Sequence, residues 1–302
     1  MKKAKSNNSM DIFRCLDSFV VHCLSFLPDK LYLSLRYRCK MGHWIDWKNP
    51  KTFTEKIQWL KINNRKPEYT RMVDKLAVKE YVAGIIGEEY IIPTLGVWDK
   101  PEEIDWESLP DQFVLKTTHG GGGGGVVICR DKKTFDRWKA IEKLTESLNS
   151  DIYKSFREWP YKDVPKRVIA EKFMTPERNP ASVGLLDYKF FCFNGKVRFF
   201  KVDFGRFVEH HANYYDTDGN LLPFGEKDFE PDSTYPIELP DNLSEMISLA
   251  ERLSENEPFL RVDFYNVKGN IYFGELTFYP ASGMGKWTCE DADYVIGKML
   301  TV

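Results

Sequence analysis

The sequence predicts an α+β protein, and three observations predict it. Residues 113–129 read as strand, glycine run, strand; two further hairpins are written at 189–202 and 260–278; and stretches with helical signals lie before, between and after them.

In chain order, residues 12–27 are apolar and follow Lys2, Lys3 and Lys5, like a secretory leader. Arg14, Asp17 and His22 interrupt the run, no small-residue cleavage site follows, and a membrane span needs roughly 20 apolar residues. Phe13, Leu16, Val20, Cys23, Leu24 and Leu27 fall at helical spacing, which predicts one amphipathic helix, packed on the protein body or laid on a membrane surface. The second option draws on 29–66, where ten basic residues face three acidic ones, a local excess that would favour anionic lipid or a phosphorylated, lipid-linked substrate. Thr52 or Thr54 can cap a helix over 50–61, and a second helix over 72–86 contains Asp74 and Lys75 and closes at Gly87. Short strands are expected at 90–93 and 95–98, then the glycine hairpin, a helix over 132–148, an aromatic polar turn at 157–162 and a strand over 168–174. Asn194-Gly195 is the favoured type I′ pair and marks the clearest hairpin. A helix over 243–253 precedes the last hairpin, which turns at Lys268-Gly269.

With 302 residues, 42% of them apolar and 15% aromatic, the chain can bury a large core and should divide into two or three subdomains. Its 43 basic and 45 acidic residues leave a net charge of −2, which argues against a nucleic-acid binder and against an acidic tail. The six cysteines are scattered, without a C-x-x-C pair, as suits reduced thiols in a cytoplasmic protein with no disulfide and no structural zinc.

Two places carry candidate chemistry. Six consecutive glycines, Gly120 to Gly125, follow the strand that holds Lys116. A backbone without Cβ atoms can lie on a phosphate and aim its N–H groups at it, although a bare hairpin tip would read the same. It is not a Walker A loop, because Val126 and a strand follow where that motif has Gly-Lys-Ser/Thr and a helix. In the last hairpin Asp263 and Glu275 interrupt apolar runs. Facing each other, with Thr277 on the same face, they would make an oxygen-rich Mg²⁺ site; the alternative is a pair of salt bridges to Arg261 or Lys201.

Asp74-Lys75, Phe113-Val-Leu-Lys116, Thr118-His-Gly120, Asp187-Tyr-Lys-Phe-Phe-Cys-Phe-Asn-Gly195 and Gly274-Glu-Leu-Thr-Phe-Tyr-Pro280, in this order, resemble the TupA-like ATP-grasp family of bacterial cell-surface polysaccharide loci. The resemblance runs from about residue 31 to the C-terminus. It implies an ATP-grasp fold: two α+β subdomains, 71–167 and 168–302, holding ATP between them, behind a basic helical extension, 1–70. It further implies that Lys116 binds α/β-phosphate oxygens, that Gly121, Gly122, Gly123 and Gly124 cover the β/γ-phosphates, and that Glu171 with the backbone of Phe173 meets adenine. Asp187 would take the ribose, Lys189 a phosphate, and Asp263 and Glu275 the Mg²⁺, with Thr277 where such enzymes usually have Asn. Arg206, His210, His211 and Asn213 fall where related ligases keep an arginine for the acyl-phosphate. His119 reads as a loop hydrogen-bonder rather than a base. The implied reaction is ATP-dependent joining of a carboxylate, such as a uronic acid of a small-molecule or lipid-linked saccharide, to an amine co-substrate. A glycosyltransferase or small-molecule kinase of the same pathway, and a non-catalytic nucleotide-binding component, are the alternatives.

Overall fold

The computed structural model describes residues 17, 20, 21, 23–121, 124–175, 185–205, 209–235 and 237–302. Two antiparallel sheets organise them. The first has the order β1-β4-β2-β3, from β1 (Thr94–Trp98), β2 (Phe113–Thr117), β3 (Val126–Cys129) and β4 (Val168–Lys172). The second has the order β7-β6-β5-β8-β9, from β5 (Asp187–Phe193), β6 (Lys196–Phe204), β7 (His211–Tyr215), β8 (Phe259–Val267) and β9 (Asn270–Thr277). The expected division between 167 and 168 falls inside the first sheet, because β4 pairs with both β1 and β2. The change of sheet comes after Lys172.

The helices are α1 (Asp29–Met41), α2 (Phe53–Asn63), α3 (Glu68–Val73), α4 (Ala77–Ile86), α5 (Arg137–Asn149), α6 (Ile152–Phe156), α7 (Leu243–Ser254) and α8 (Ala292–Gly297). Thr52 caps α2 in a reciprocal box with Glu55. The single helix expected over 72–86 is instead two, because Asp74 leaves helical geometry (ψ 114°) and its Oδ1 accepts the N–H groups of Leu76 and Ala77 at 2.8 and 3.3 Å. Residues 90–93 are no strand: a 3₁₀ turn covers Glu88–Tyr90, and the Pro93 carbonyl receives the N–H of Lys172. The helix expected from 132 starts at Arg137, where the Asp136 side chain accepts the N–H of Lys139. Of the amphipathic stretch 12–27, Phe13 and Leu16 lie outside the described residues; Val20 is buried with Tyr32 and Leu33, and Leu24 and Leu27 pack on them. Asn194 (φ 50°) and Gly195 (φ 74°) form the tight β5–β6 turn, and a Cβ on Gly195 would meet the Glu255 carbonyl at 2.9 Å.

The second sheet differs on its two faces. Cross-strand alternation sends Tyr188, Phe190, Cys192, Val202, Val262 and Phe264 to the side covered by α7, whose Met246, Leu249, Ala250 and Leu253 are buried against it. The other side is divided along its length. At one end Phe191, Phe193, Phe199 and Phe259 pack together, with Phe53 of α2 against Phe193, Phe259 and Trp287. At the other end the same strands carry Asp187, Lys189, Lys201, Asp203, Arg261 and Asp263, all buried. Each fully buried phenylalanine contributes about 1.5–3 kcal/mol, so the aromatic end anchors the sheet on which the charged end is displayed. The helical extension expected over 1–70 is therefore built into the second sheet through α2.

Candidate functional site

In the first sheet Val114 of β2 lies opposite Glu171 of β4. The Glu171 carboxylate is buried and receives two ammonium groups, Lys116 Nζ at 2.5 Å and Lys79 Nζ at 2.6 Å. Burial works to raise this carboxyl; the charges of Lys116 and Lys79 outweigh it and hold it down at about 2. Lys79 also donates to the Ile92 carbonyl at 2.7 Å. Phe173 follows β4 with the Arg130 guanidinium 6.0 Å from its ring centre.

The glycine run leaves this sheet through a fixed root. Thr117 Oγ1 meets Ser147 Oγ at 2.7 Å, the Thr118 hydroxyl donates to Pro165 at 2.6 Å, and buried His119 bonds the Ser147 carbonyl through Nε2 at 3.0 Å. Burial lowers the His119 imidazole, so its role there is that of a neutral hydrogen-bonding ring. Among the described residues, an added Cβ at Gly121 would reach Ile152 at 3.4 Å and one at Gly124 would meet nothing within 4 Å. Gly122 and Gly123 lie outside the described residues.

In the second sheet Lys189 of β5 lies opposite Asp263 of β8, and Asp263 opposite Glu275 of β9. Lys189 Nζ donates to Asp187 at 2.7 Å and to Asp263, with Asp203 3.9 Å away. Arg261 places its guanidinium among three oxygen-bearing side chains: Asp263 at 2.7 Å through both Nε and Nη2, Glu275 at 3.0 Å and the Thr277 hydroxyl at 2.9 Å. Burial opposes the charges of Lys189 and Arg261, but the surrounding carboxylates win and hold both above their ordinary values. Of the two salt-bridge partners weighed from the sequence, Arg261 is the one that meets Asp263 and Glu275; Lys201 instead pairs with Glu226 at 2.6 Å and Asp203 at 3.4 Å. Gly274 lies beside the β8–β9 bulge, where a Cβ would come within 3.0 Å of the Asp263 carbonyl.

A short segment ties the two sheets together. Lys75 donates its N–H to the Thr118 carbonyl at 2.9 Å and sends Nζ to Glu275 Oε2 at 3.2 Å, while Lys79 four residues on reaches Glu171. Burial would raise the Glu275 carboxyl, and Lys75, Lys189 and Arg261 lower it instead. The pair Lys75 and Lys79 was legible only as a helical i, i+4 spacing and, for Lys75, as part of a motif without a role.

The remaining expected residues are the acyl-phosphate candidates. Arg206 is outside the described residues. His211 bonds the Glu230 carbonyl at 2.8 Å and stacks on Phe204, and Asn213 is spent on Asp232, its amide nitrogen donating to the carbonyl and its oxygen accepting the N–H. His210 packs on Phe229 with Nε2 3.7 Å from Asp203. Against the expectation that the chain has no Asp-x-Asp, the metal motif of many glycosyltransferases, the order occurs twice, at 216–218 and 291–293, and the first aspartate of one and the second of the other are committed structurally. Asp216 accepts the N–H groups of Asp218 and Asn220, and Asp293 accepts from the N–H and hydroxyl of Thr54.

The donor set at β8 and β9 has the hard oxygens that Mg²⁺ takes. Among the described residues no group of three or more His, Cys, Asp or Glu side chains is placed to hold a metal ion. Asp263 is enclosed by Arg261 and Lys189, whereas the Glu275 side chain is 38% exposed. Asp263 and Glu275, with the Thr277 hydroxyl, are the side chains that would hold such a cation, and Arg261 now bonds all three.

Among known families, the one described as TupA-like ATPgrasp matches residues 55–301. No curated protein matches the chain. Similar solved structures include D-alanine–D-alanine ligase from Helicobacter pylori (15% identity, 76% of this chain and 63% of that one, TM-score 0.42). A RimK-domain ATP-grasp protein from Sphaerobacter thermophilus is also similar (13%, 78% and 70%, 0.43), as is D-alanyl-alanine synthetase A from Vibrio cholerae (14%, 82% and 62%, 0.42). The chain spans less than two thirds of the length of both D-alanine enzymes.

Proposed function

We propose that this chain, which belongs to the TupA-like ATP-grasp family, is an ATP-dependent carboxylate–amine ligase. The observation that carries the reading is the pair of charged sites, Lys116–Glu171 in one sheet and Arg261–Asp263–Glu275 in the other, tied together by Lys79 of α4, which reaches Glu171, and Lys75, which reaches Glu275. Lys116 binds α/β-phosphate oxygens as its contact with Glu171 opens, the glycine run lies over the β/γ-phosphates, and Glu171 and the Phe173 backbone are left for adenine. Asp187 orients the ribose, and Lys189 and Arg261 face the charge that develops on the transferred phosphoryl group. Mg²⁺, held by Asp263 and Glu275 with Thr277, would screen the phosphate charges.

The reaction is then a displacement in two stages. The substrate carboxylate attacks the γ-phosphorus and ADP leaves; an amine attacks the resulting acyl-phosphate, an amide bond forms, and inorganic phosphate leaves. A uronic-acid carboxylate and an amino-acid amine, in surface-polysaccharide biosynthesis, are the substrates suggested by the family's setting. The test is ATP turnover against uronic-acid and amino-acid pools, reading ADP, phosphate and the amide by mass spectrometry. One amide per ADP and phosphate supports the ligase; ADP without phosphate makes the protein a kinase, and release of a sugar donor's nucleotide makes it a glycosyltransferase. Lys116→Ala should weaken ATP binding at least ~tenfold, because a charge-assisted contact is lost, and unchanged affinity rejects the nucleotide site.

A further inference from the structure

We propose that the outer face of α1, with the turn that follows it, docks this protein on an anionic lipid bilayer. Between residues 30 and 45 there is no acidic residue, while Lys30, Arg36, Arg38 and Lys40 are basic. The neighbouring acids are engaged internally. Asp29 binds Arg65 and Arg157, Asp46 accepts the N–H groups of Lys48 and Asn49, and Glu55 accepts those of Asp46, Lys51 and Thr52. Of the basic groups, Arg36 is buried on Asp17 and Lys40 meets the same carboxylate, whereas Lys30, Lys48 and Lys51 are exposed. Arg38 is turned to the carbonyl of Gly42 at the end of the helix.

The same segment of chain exposes large apolar groups. Phe26 is 77% exposed, Leu31 49% and Trp44 58%, so they sit before, on and after the helix. The Trp44 position is imposed by the chain: Gly42 ends α1 in the left-handed region at φ 86°, and Ile45 is buried, which turns its predecessor outward. Lys30 lies over the ring of Trp47, which is pinned to Ser34. Apolar side chains interleaved with lysines match a headgroup layer, where aromatic rings enter between lipids and ammonium groups meet phosphates. A second copy of the same face would oppose like charges. No described helix is long and apolar enough to cross a membrane.

The test is sedimentation of the full chain with sucrose-loaded vesicles of equal parts phosphatidylglycerol and phosphatidylcholine, against phosphatidylcholine alone, at low and high salt. The expected result is at least ~tenfold stronger binding to the anionic vesicles, weakened by salt. Binding should fall by ~tenfold or more in Lys30→Glu/Lys48→Glu and, separately, in Phe26→Ser/Trp44→Ser, with melting temperatures unchanged because these side chains are exposed. Equal binding to neutral vesicles, no binding to either, or variants that bind like the parent would overturn the proposal. So would a concentration-dependent dimer that Trp44→Ser dissociates, which would give this face to self-association.

Discussion

Glu171 and Glu275 are both glutamates on sheet strands, and each is met by two cationic side chains, but they are built for different outcomes. Glu171 is on β4, between β1 and β2, and its carboxylate is closed off by Lys79 and Lys116. Glu275 is on β9 at the sheet edge, next to a bulge, with Lys75 and Arg261 on one side and a partly exposed outer side. A closed carboxylate gives up a cation only where a ligand charge takes that cation over, as phosphate would take Lys116, because an unreplaced partner leaves a buried charge stranded; an edge carboxylate can exchange a protein cation for a ligand at lower cost.

The largest effect that would test this contrast is on turnover. Glu275→Gln should reduce ATP turnover by at least ~100-fold, the scale of losing one charge-stabilising group, while metal-free thermal stability changes by about 1 kcal/mol or less. Melts with and without Mg²⁺-ATP check it, and the variant should also lose the stabilisation that Mg²⁺-ATP gives the parent. If the metal-free variant is severely destabilised yet keeps that stabilisation, Glu275 is a structural partner of Arg261 and Lys75. Glu171→Gln should add to any loss of ATP binding a loss of about 3–5 kcal/mol in denaturant unfolding, since Lys79 and Lys116 would be left close together without a counter-charge.

Acid sharpens the same comparison. Glu171 has a carboxyl near 2 in the folded chain against an ordinary 4.5, so the unfolded chain binds the proton first. Its stabilisation is complete above about pH 4.5 and is lost as pH falls through about 2. The difference in stability between parent and Glu171→Gln should therefore shrink across that window, and a difference independent of pH would show that the glutamate acts by shape. The smallest effect belongs to the tie between the sheets. Lys75→Met removes one half-buried contact to a partly exposed carboxylate and should cost about 0.5–1 kcal/mol, or roughly a few-fold in the KM for ATP. A loss as large as that of Glu171→Gln would make Lys75 as closed a partner as Lys79.

Much of this arrangement was legible in the sequence, for identifiable reasons. The hairpins at Asn194-Gly195 and Lys268-Gly269 have local turns, so strand identity and the facing of Asp263 and Glu275 followed from period two, although each hairpin carries a bulge, after Phe191 and after Asp263, that no alternation announces. Helix ends were less legible: Asp74 breaks 72–86 by a side-chain bond that also suits an N-cap, and α1 was hidden in a stretch read only for its charge. The acyl-phosphate candidates beyond β6 were placed by position in a resemblance, and the fold spends Asn213 and His211 on the segment around Glu230 and Asp232.

What the sequence determined by itself was the kind of chemistry available: a lysine before a glycine run, carboxylates in apolar strands, and a basic stretch after an amphipathic segment. Those depend on residue type and on spacing within one strand or helix. Only the tertiary structure decided which charge meets which. Arg261 comes to lie among Asp263, Glu275 and Thr277 because β8 and β9 pair in one register, and Lys75 reaches Glu275 across 200 positions because the segment after α3 is pinned to Thr118. Such contacts arise from strand order and packing between distant segments, and no local pattern encodes them.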